Sequence, residues 1–215
     1  SELLLGIDVG TSGCKVTVID RQGRVVDQGF GEYETFHEHR CWSEQEPDQW
    51  YDVACGLLQA MFARGACRAE QIAALSLDGS THNAVLADAS FRPLRRAIMW
   101  TDQRSAAEAA RLDQEAGREI FETAYQKPSA TWTLPQLLWV KENEPDVLAR
   151  TVHVLFTKDY VRHRFTGTWE TDHIEAQGSL FYDMRRRAWS ESLCGLAGVP
   201  VDALPPLVEP TAVVG

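Results

Sequence analysis

Residues 3–9, Leu3-Leu4-Leu5-Gly6-Ile7-Asp8-Val9, make a short apolar stretch. A β-branched run follows over 14–20 and a third extended stretch over 24–34, with the turn Asp20-Arg21-Gln22-Gly23 between the last two. This patterning predicts three antiparallel strands. Glu46-Pro47-Asp48 then opens a helix to about Arg64, with Trp50, Val53, Ala54, Leu57, Leu58 and Met61 on one face. Beyond it, strands are expected over 72–77, 84–86, 96–100 and 153–156. Helices are expected over 105–117, 134–143, 145–150 and 158–165, the last stopped by Gly167. The proline-rich stretch 199–210 predicts no strong element. Strands first, then strand and helix in alternation, give an α/β domain.

The first turn carries chemistry. Asp8 ends a strand, Gly10-Thr11-Ser12-Gly13 makes a tight loop, and Val16, Thr17, Val18 and Ile19 favour another strand. Backbone N–H groups and hydroxyls in such a loop cradle phosphate oxygens, while the carboxylate holds a cation or its waters. A dinucleotide fingerprint needs its glycine turn to open a helix. Strand–turn–strand therefore points away from a Rossmann domain and towards the actin/hexokinase type of phosphate hairpin. For this motif taken singly, an ordinary hairpin with a solvated Asp remains the alternative.

Bulk properties narrow the classes. The 215 residues suffice for one large domain or two small ones. A net charge of −10 argues against nucleic acid, whose phosphates need a basic surface. The cluster Arg185, Arg186, Arg187 is local and reads as a solvated face. Five scattered cysteines without CxxC or Cys/His spacing suit reduced thiols in a cytoplasm. No signal peptide is visible over residues 1–9, and no apolar stretch approaches the roughly 18 residues of a membrane span. The opening Ser1 in place of Met is read as a processed or tagged start.

Several separated segments together resemble the FGGY carbohydrate kinases, most closely the xylulokinase-like branch. They are Gly6-Ile7-Asp8-Val9-Gly10-Thr11-Ser12-Gly13-Cys14-Lys15, Trp42 to Trp50, Leu75 to Asn83, and Ile98-Met99-Trp100-Thr101-Asp102-Gln103-Arg104. Leu137 to Lys141, Lys158-Asp159-Tyr160, Thr171-Asp172 to Gly178, and Asp183 to Ser190 follow in the family's order. The resemblance implies an N-terminal sugar-binding domain of ribonuclease-H-like topology in the actin/hexokinase superfamily, its mixed sheet beginning with three antiparallel strands. It implies ATP and Mg²⁺ as cofactors and transfer of the γ-phosphoryl to a sugar or polyol hydroxyl, a xylulose-like pentulose favoured. A homodimer is compatible with it.

Roles carry over residue by residue. Asp8 would hold Mg²⁺ through water; Gly10, Thr11, Ser12 and Gly13 would line the phosphate; Lys15 would add charge, or stay a solvated strand lysine. The sugar loop "Q-M-H-G" of xylulokinases corresponds to Ser80-Thr81-His82-Asn83, so only His82 is kept. An imidazole both donates to and accepts from vicinal hydroxyls. Thr81 follows the same strand. Trp100, Asp102 and Arg104 either contact the sugar, the indole stacking on its apolar face, or Asp102 caps helix 105–117 and Trp100 is core. Trp132 falls where a related kinase places an aromatic near the sugar. Trp42 and Trp50 read as packing anchors, and Glu175 as structural or a rim contact.

The family's general base is an Asp in a "GGGDN"-like loop, and no such run occurs in residues 1–215. The expectation is therefore the front domain of a kinase, cut before its catalytic base and its ATP-binding second domain, and inactive alone. A stand-alone sugar-binding or regulatory module derived from a kinase is the alternative, with an actin-like protein of another acceptor third.

Overall fold

The computed structural model describes residues 2–215. Its first strands, β1 (Leu3–Val9), β2 (Gly13–Asp20) and β3 (Val25–Glu32), run antiparallel in succession. A two-residue strand β4 (Glu44–Gln45) precedes α1 (Pro47–Ala63). Pro47 at the helix start has no N–H to lose, and Asp48 in the first turn suits the positive end of the helix dipole. Strand β5 (Ile72–Gly79) then lies parallel to β1, giving a mixed sheet in the order β3-β2-β1-β5.

Period two decides which face is covered. Leu3, Leu5, Ile7, Val9, Val16 and Val18 point inward against Trp50, Ala54 and Met61 of α1, all buried. Each large side chain fully withdrawn from water contributes about 1.5–3 kcal/mol, so this face holds the sheet to the helix. The opposite face stays open: Leu4, Gly6 and Asp8 of β1 and Lys15 of β2 are exposed.

The remaining elements build a second core. Strand β6 (Ala84–Ala87), short β7 (Ala97–Ile98), α2 (Ala106–Ala124), α3 (Thr133–Asn143), α4 (Pro145–Arg150), β8 (His153–Phe156) and α5 (Thr157–Thr166) follow in order. After them come β9 (Thr171–Asp172), α6 (His173–Gly178), the hairpin β10 (Tyr182–Asp183) and β11 (Ala188–Trp189), α7 (Glu191–Ala197) and β12 (Leu207–Val208). Strands β6 and β8 pair antiparallel, and β12 joins β9 in parallel. Leu112, Ile120, Leu134, Leu137, Val154, Phe181 and Leu193 are buried together here. Helix α5 packs back on β1 and β5, joining the two cores.

Three expectations need correction. The strand expected over 96–100 is only Ala97–Ile98, because it has just the two residues of β4 to pair with. The helix expected over 105–117 runs on to Ala124, since Ile120 and Ala124 continue its buried face past Gly117; it ends at Tyr125 in the left-handed region. The stretch 199–210 holds a 3-10 turn over Val201–Ala203 and strand β12.

Candidate functional site

The turn between β1 and β2 is held from three sides. Gly10 N–H donates to the Gly13 carbonyl at 3.1 Å, and the Tyr33 hydroxyl donates to the Gly10 carbonyl. Gln45, wholly buried, donates to the Thr11 carbonyl at 2.7 Å and to Thr35 Oγ1 at 2.8 Å, and accepts from Trp50 Nε1 at 2.8 Å. Helix α1 is thereby tied to the turn through one amide. Gly13 is required here, because a Cβ would lie 2.5 Å from the Phe30 ring and 2.6 Å from the Gly31 carbonyl. Thr11 is half-buried, and Ser12 is exposed at the tip.

Asp8 lies on the open face of the sheet, opposite Lys15 in the antiparallel register and Asp78 in the parallel one. Gly6, Ile7, Asp8, Lys15, Thr17, Ser76 and Asp78 line a shallow cavity of about 250 Å³. Carboxylate oxygens beside a lysine and a hydroxyl-bearing turn form a donor set that fits a hydrated Mg²⁺ and phosphate oxygens.

The second loop starts where β5 ends. Ser80 N–H donates to the Val9 carbonyl at 2.9 Å, so residues 80–83 leave the sheet beside the glycine turn. Asn83, fully buried, donates to Ser80 O (3.1 Å), Ser80 Oγ (2.9 Å) and Thr157 Oγ1 (3.0 Å). Its carbonyl accepts the Trp100 N–H at 2.6 Å. The Trp100 indole Nε1–H in turn donates to Thr11 Oγ1 at 2.9 Å. Turn and loop are thus neighbours, linked through Trp100. Trp100 is 41% exposed, which corrects the reading of it as a core residue.

His82 sits deeper, in a left-handed conformation (φ +48°) and only 8% exposed. Its N–H donates to Glu175 Oε1, and its carbonyl accepts from Thr133 Oγ1 at 2.7 Å. The ring has Nδ1 2.7 Å from Thr81 Oγ1 and its centroid 4.9 Å from that of Trp132. Burial pushes the imidazole pKa down to about 4, so the ring is neutral near pH 7. Thr81 is exposed and Trp132 half-buried on the same side. Glu175, 2% exposed, is pushed up to about 8 chiefly by burial. Lys158 stands 3.8 Å from its second oxygen.

Asp102 and Arg104 behave otherwise. Asp102 accepts from Ser43 N–H and from the backbone and guanidinium of Arg104. The Arg104 side chain is fully buried, pairs with Glu44 at 2.8 Å, and lies 3.7 Å over the Trp42 ring. Both side chains are spent on each other, on Ser43 and on Glu44, an ion-pair network that speaks against the expected sugar contact. Nor does Asp102 cap the following helix, whose N-cap is Ser105 with no side-chain cap bond. Sequence alone could not choose, since the same residue types serve an ion-pair network and a polyol. Tyr33, Gln45 and Asn83 brace the turn and the loop, and sequence reasoning assigned none of them a role; Gln45 lies inside the segment Trp42 to Trp50 and Asn83 inside Leu75 to Asn83, whereas Tyr33 carried no signal.

Comparison with known proteins agrees with this architecture. Residues 3–215 match the model of the FGGY family of carbohydrate kinases, N-terminal domain. The xylulose kinase of Bacillus subtilis is 34% identical over 212 residues, covering 99% of this chain and 42% of that protein. That of Escherichia coli is 33% identical over 213 residues, with 99% and 43% covered. The crystal structure of a xylulose kinase from Brucella ovis superposes with a TM-score of 0.92 at 36% identity, over 97% of this chain and 43% of that one. A gluconate kinase from Lactobacillus acidophilus shares the fold (TM-score 0.93) at 20% identity. The chain spans about 42–43% of the length of these curated relatives. Its sheet, three antiparallel strands and a parallel fourth, is that of the actin/hexokinase superfamily, and the chain belongs to the FGGY family of carbohydrate kinases.

Proposed function

We propose that this chain is the part of an ATP-dependent carbohydrate kinase that holds the sugar and faces the transferring phosphate, with a xylulose-like pentulose as favoured acceptor. One observation supports the reading: Trp100 donates its indole N–H to Thr11 at 2.9 Å and its backbone N–H to Asn83 at 2.6 Å, so the glycine turn and the His82 loop are neighbours. The relatives named xylulose kinases, 33–36% identical, support the choice of sugar.

In this reading Asp8 would hold Mg²⁺, Gly10, Thr11, Ser12 and Gly13 would line the terminal phosphate, and Lys15 would add a positive charge. Thr81, His82, Trp100 and Trp132 take the sugar. The neutral imidazole offers a donor or an acceptor to a hydroxyl, and the exposed indole offers an apolar face. MgATP, when bound, would supply the phosphoryl group that a sugar hydroxyl accepts. The chain's own work is to orient that hydroxyl and keep water away from it.

Deprotonating the hydroxyl takes a positioned base, worth about 10²–10⁴-fold. No glycine-rich Asp loop of the family type occurs in residues 1–215. We therefore assign the base and most of the nucleotide site to a second, ATP-binding lobe of a cytoplasmic enzyme, and expect no turnover from this chain alone.

A thermal-shift panel of D-xylulose, D-ribulose, D-xylose and glycerol tests the reading, with ADP formation followed in parallel. D-xylulose is expected to raise Tm most, since a ligand at 100 times its Kd adds about 2.7 kcal/mol. Indifference to every polyol would sink the sugar assignment. Steady ADP production dependent on D-xylulose would overturn the assignment of the base elsewhere.

A further inference from the structure

His82 is held in an unusual way. A residue with a Cβ seldom adopts positive φ unless its surroundings fix it there. Both backbone groups of His82 are fixed: the N–H by the Glu175 carboxylate and the carbonyl by the Thr133 hydroxyl. The ring lies against Gly178, where a Cβ would stand 2.7 Å from Nδ1 and 3.2 Å from the histidine Cβ. That berth exists only because residue 178 has no side chain. Its remaining nitrogen, Nε2, is buried and has no protein partner among the described residues.

Glu175 and Gly178 lie on α6, 93 residues along the chain from His82 in the case of Glu175, which is 2% exposed. Glu175 is itself anchored. Lys158, on α5, is 2.9 Å from Asp172, 3.0 Å from Asp159 and 3.8 Å from Glu175. Asp172 caps α6 by accepting the Ile174 and Glu175 N–H groups at 2.8 and 2.9 Å. The lysine thus fixes both the helix start and the carboxylate that reaches the loop.

We propose that Glu175 and Gly178 are positioning residues for the sugar loop: Glu175 sets the His82 backbone and Gly178 sets where its ring stands. The inference rests on the reading of His82 as a sugar contact, and the experiment separates the two. Burying a carboxyl group whose one hydrogen bond goes to the His82 N–H, with Lys158 at 3.8 Å, is costly unless that geometry matters. A Gln at the same place keeps an accepting oxygen; an Ala does not.

The test is carried out on the whole chain with D-xylulose as probe. Ring ¹H–¹⁵N correlations of the six histidines are recorded for the wild type, Glu175→Gln, Glu175→Ala and Gly178→Ala. The His82 signals are expected to move in Glu175→Ala and Gly178→Ala and to stay in Glu175→Gln, with the His37 and His39 signals unmoved throughout. Calorimetry is expected to show D-xylulose weakened at least 10-fold by Glu175→Ala and by Gly178→Ala, and less than 3-fold by Glu175→Gln. In a His82→Ala background Gly178→Ala should add nothing further. His82 ring signals unmoved in both Glu175→Ala and Gly178→Ala would overturn the proposal, as would full additivity with His82→Ala. If Glu175→Ala does not fold, Gly178→Ala and the cycle with His82→Ala decide it. Moved ring signals with no D-xylulose affinity in the wild type would uphold the positioning and count against the sugar reading instead.

Discussion

His82 and Glu175 touch through one hydrogen bond, yet their ionisations pull stability in opposite directions. The folded state lowers the His82 pKa from 6.5 to about 4 by burial. The unfolded chain therefore binds more protons between those values, and stability falls as pH drops through that window. Glu175 is raised from 4.5 to about 8, chiefly by burial, with Asp159 and Asp172 adding to the rise and Lys158 and the His82 N–H opposing it. The folded state keeps that proton longer, so its contribution is present below pH 4.5 and is lost as pH rises towards 8. Each unmatched proton changes stability by about 1.4 kcal/mol per pH unit. From pH 4.5 to 6.5 the two effects oppose each other. Glu175→Gln should therefore uncover the His82 slope, losing stability from pH 6.5 to 4.5 faster than the wild type. It should also flatten the wild type's decline from pH 6.5 to 8. Urea denaturation across pH 4.5–8 measures both, and parallel profiles for the two proteins would contradict this account.

Among the elements, those with a long period were legible in the sequence and those defined by distant partners were not. The β1–β2 hairpin follows from the short apolar stretch Leu3 to Val9 and from a turn that only glycine at position 13 allows. Helix α1 follows from Pro47 and from the spacing of Trp50, Ala54 and Met61. Helices α6 and α7, six and seven residues long, are too short for a periodic face to register and lack the opening proline that marks the equally short α4. Strands β4, β7, β9 and β12 have two residues each and exist through their partners. In the cleft, Asp8, Thr11 and His82 were visible as letters, whereas Asn83 and Gln45 become meaningful only when Trp100, Thr157 and Thr11 come near. Gln45 links α1 to the phosphate turn, so Gln45→Leu leaves the Trp50 indole N–H and the Thr11 carbonyl without their partner. Stability should fall by about 1–3 kcal/mol, the usual effect of stranding buried polar groups. Hydrogen exchange of the amides at 10–13 should quicken more than that of β5. A loss of protection spread evenly over the sheet would mean that Gln45 braces the core generally rather than the turn.

At the scale of the whole molecule the dominant fact is charge against an open face. The chain carries −10, and its exposed sheet face sets Asp8 and Asp78 side by side with Lys15 as the one cation lining their cavity. Bare ATP, itself a polyanion, meets like charge there, and in low salt that field extends beyond contact range, since the Debye length is about 30 Å at 0.01 M. A divalent cation shared between carboxylate and phosphate oxygens reverses the balance, because carboxylates and phosphates are its natural ligands. If the cleft works as proposed, nucleotide should register only together with Mg²⁺. The γ-phosphorus resonance of ATP should shift on adding protein when Mg²⁺ is present and stay in place when it is chelated. Asp8→Asn should remove most of the Mg²⁺-dependent shift while leaving the D-xylulose effect on Tm intact, since the sugar reading rests on His82 and Trp132 and not on Asp8. Equal shifts with and without Mg²⁺ would place the phosphate on Lys15 and the turn alone, and would take the metal away from Asp8.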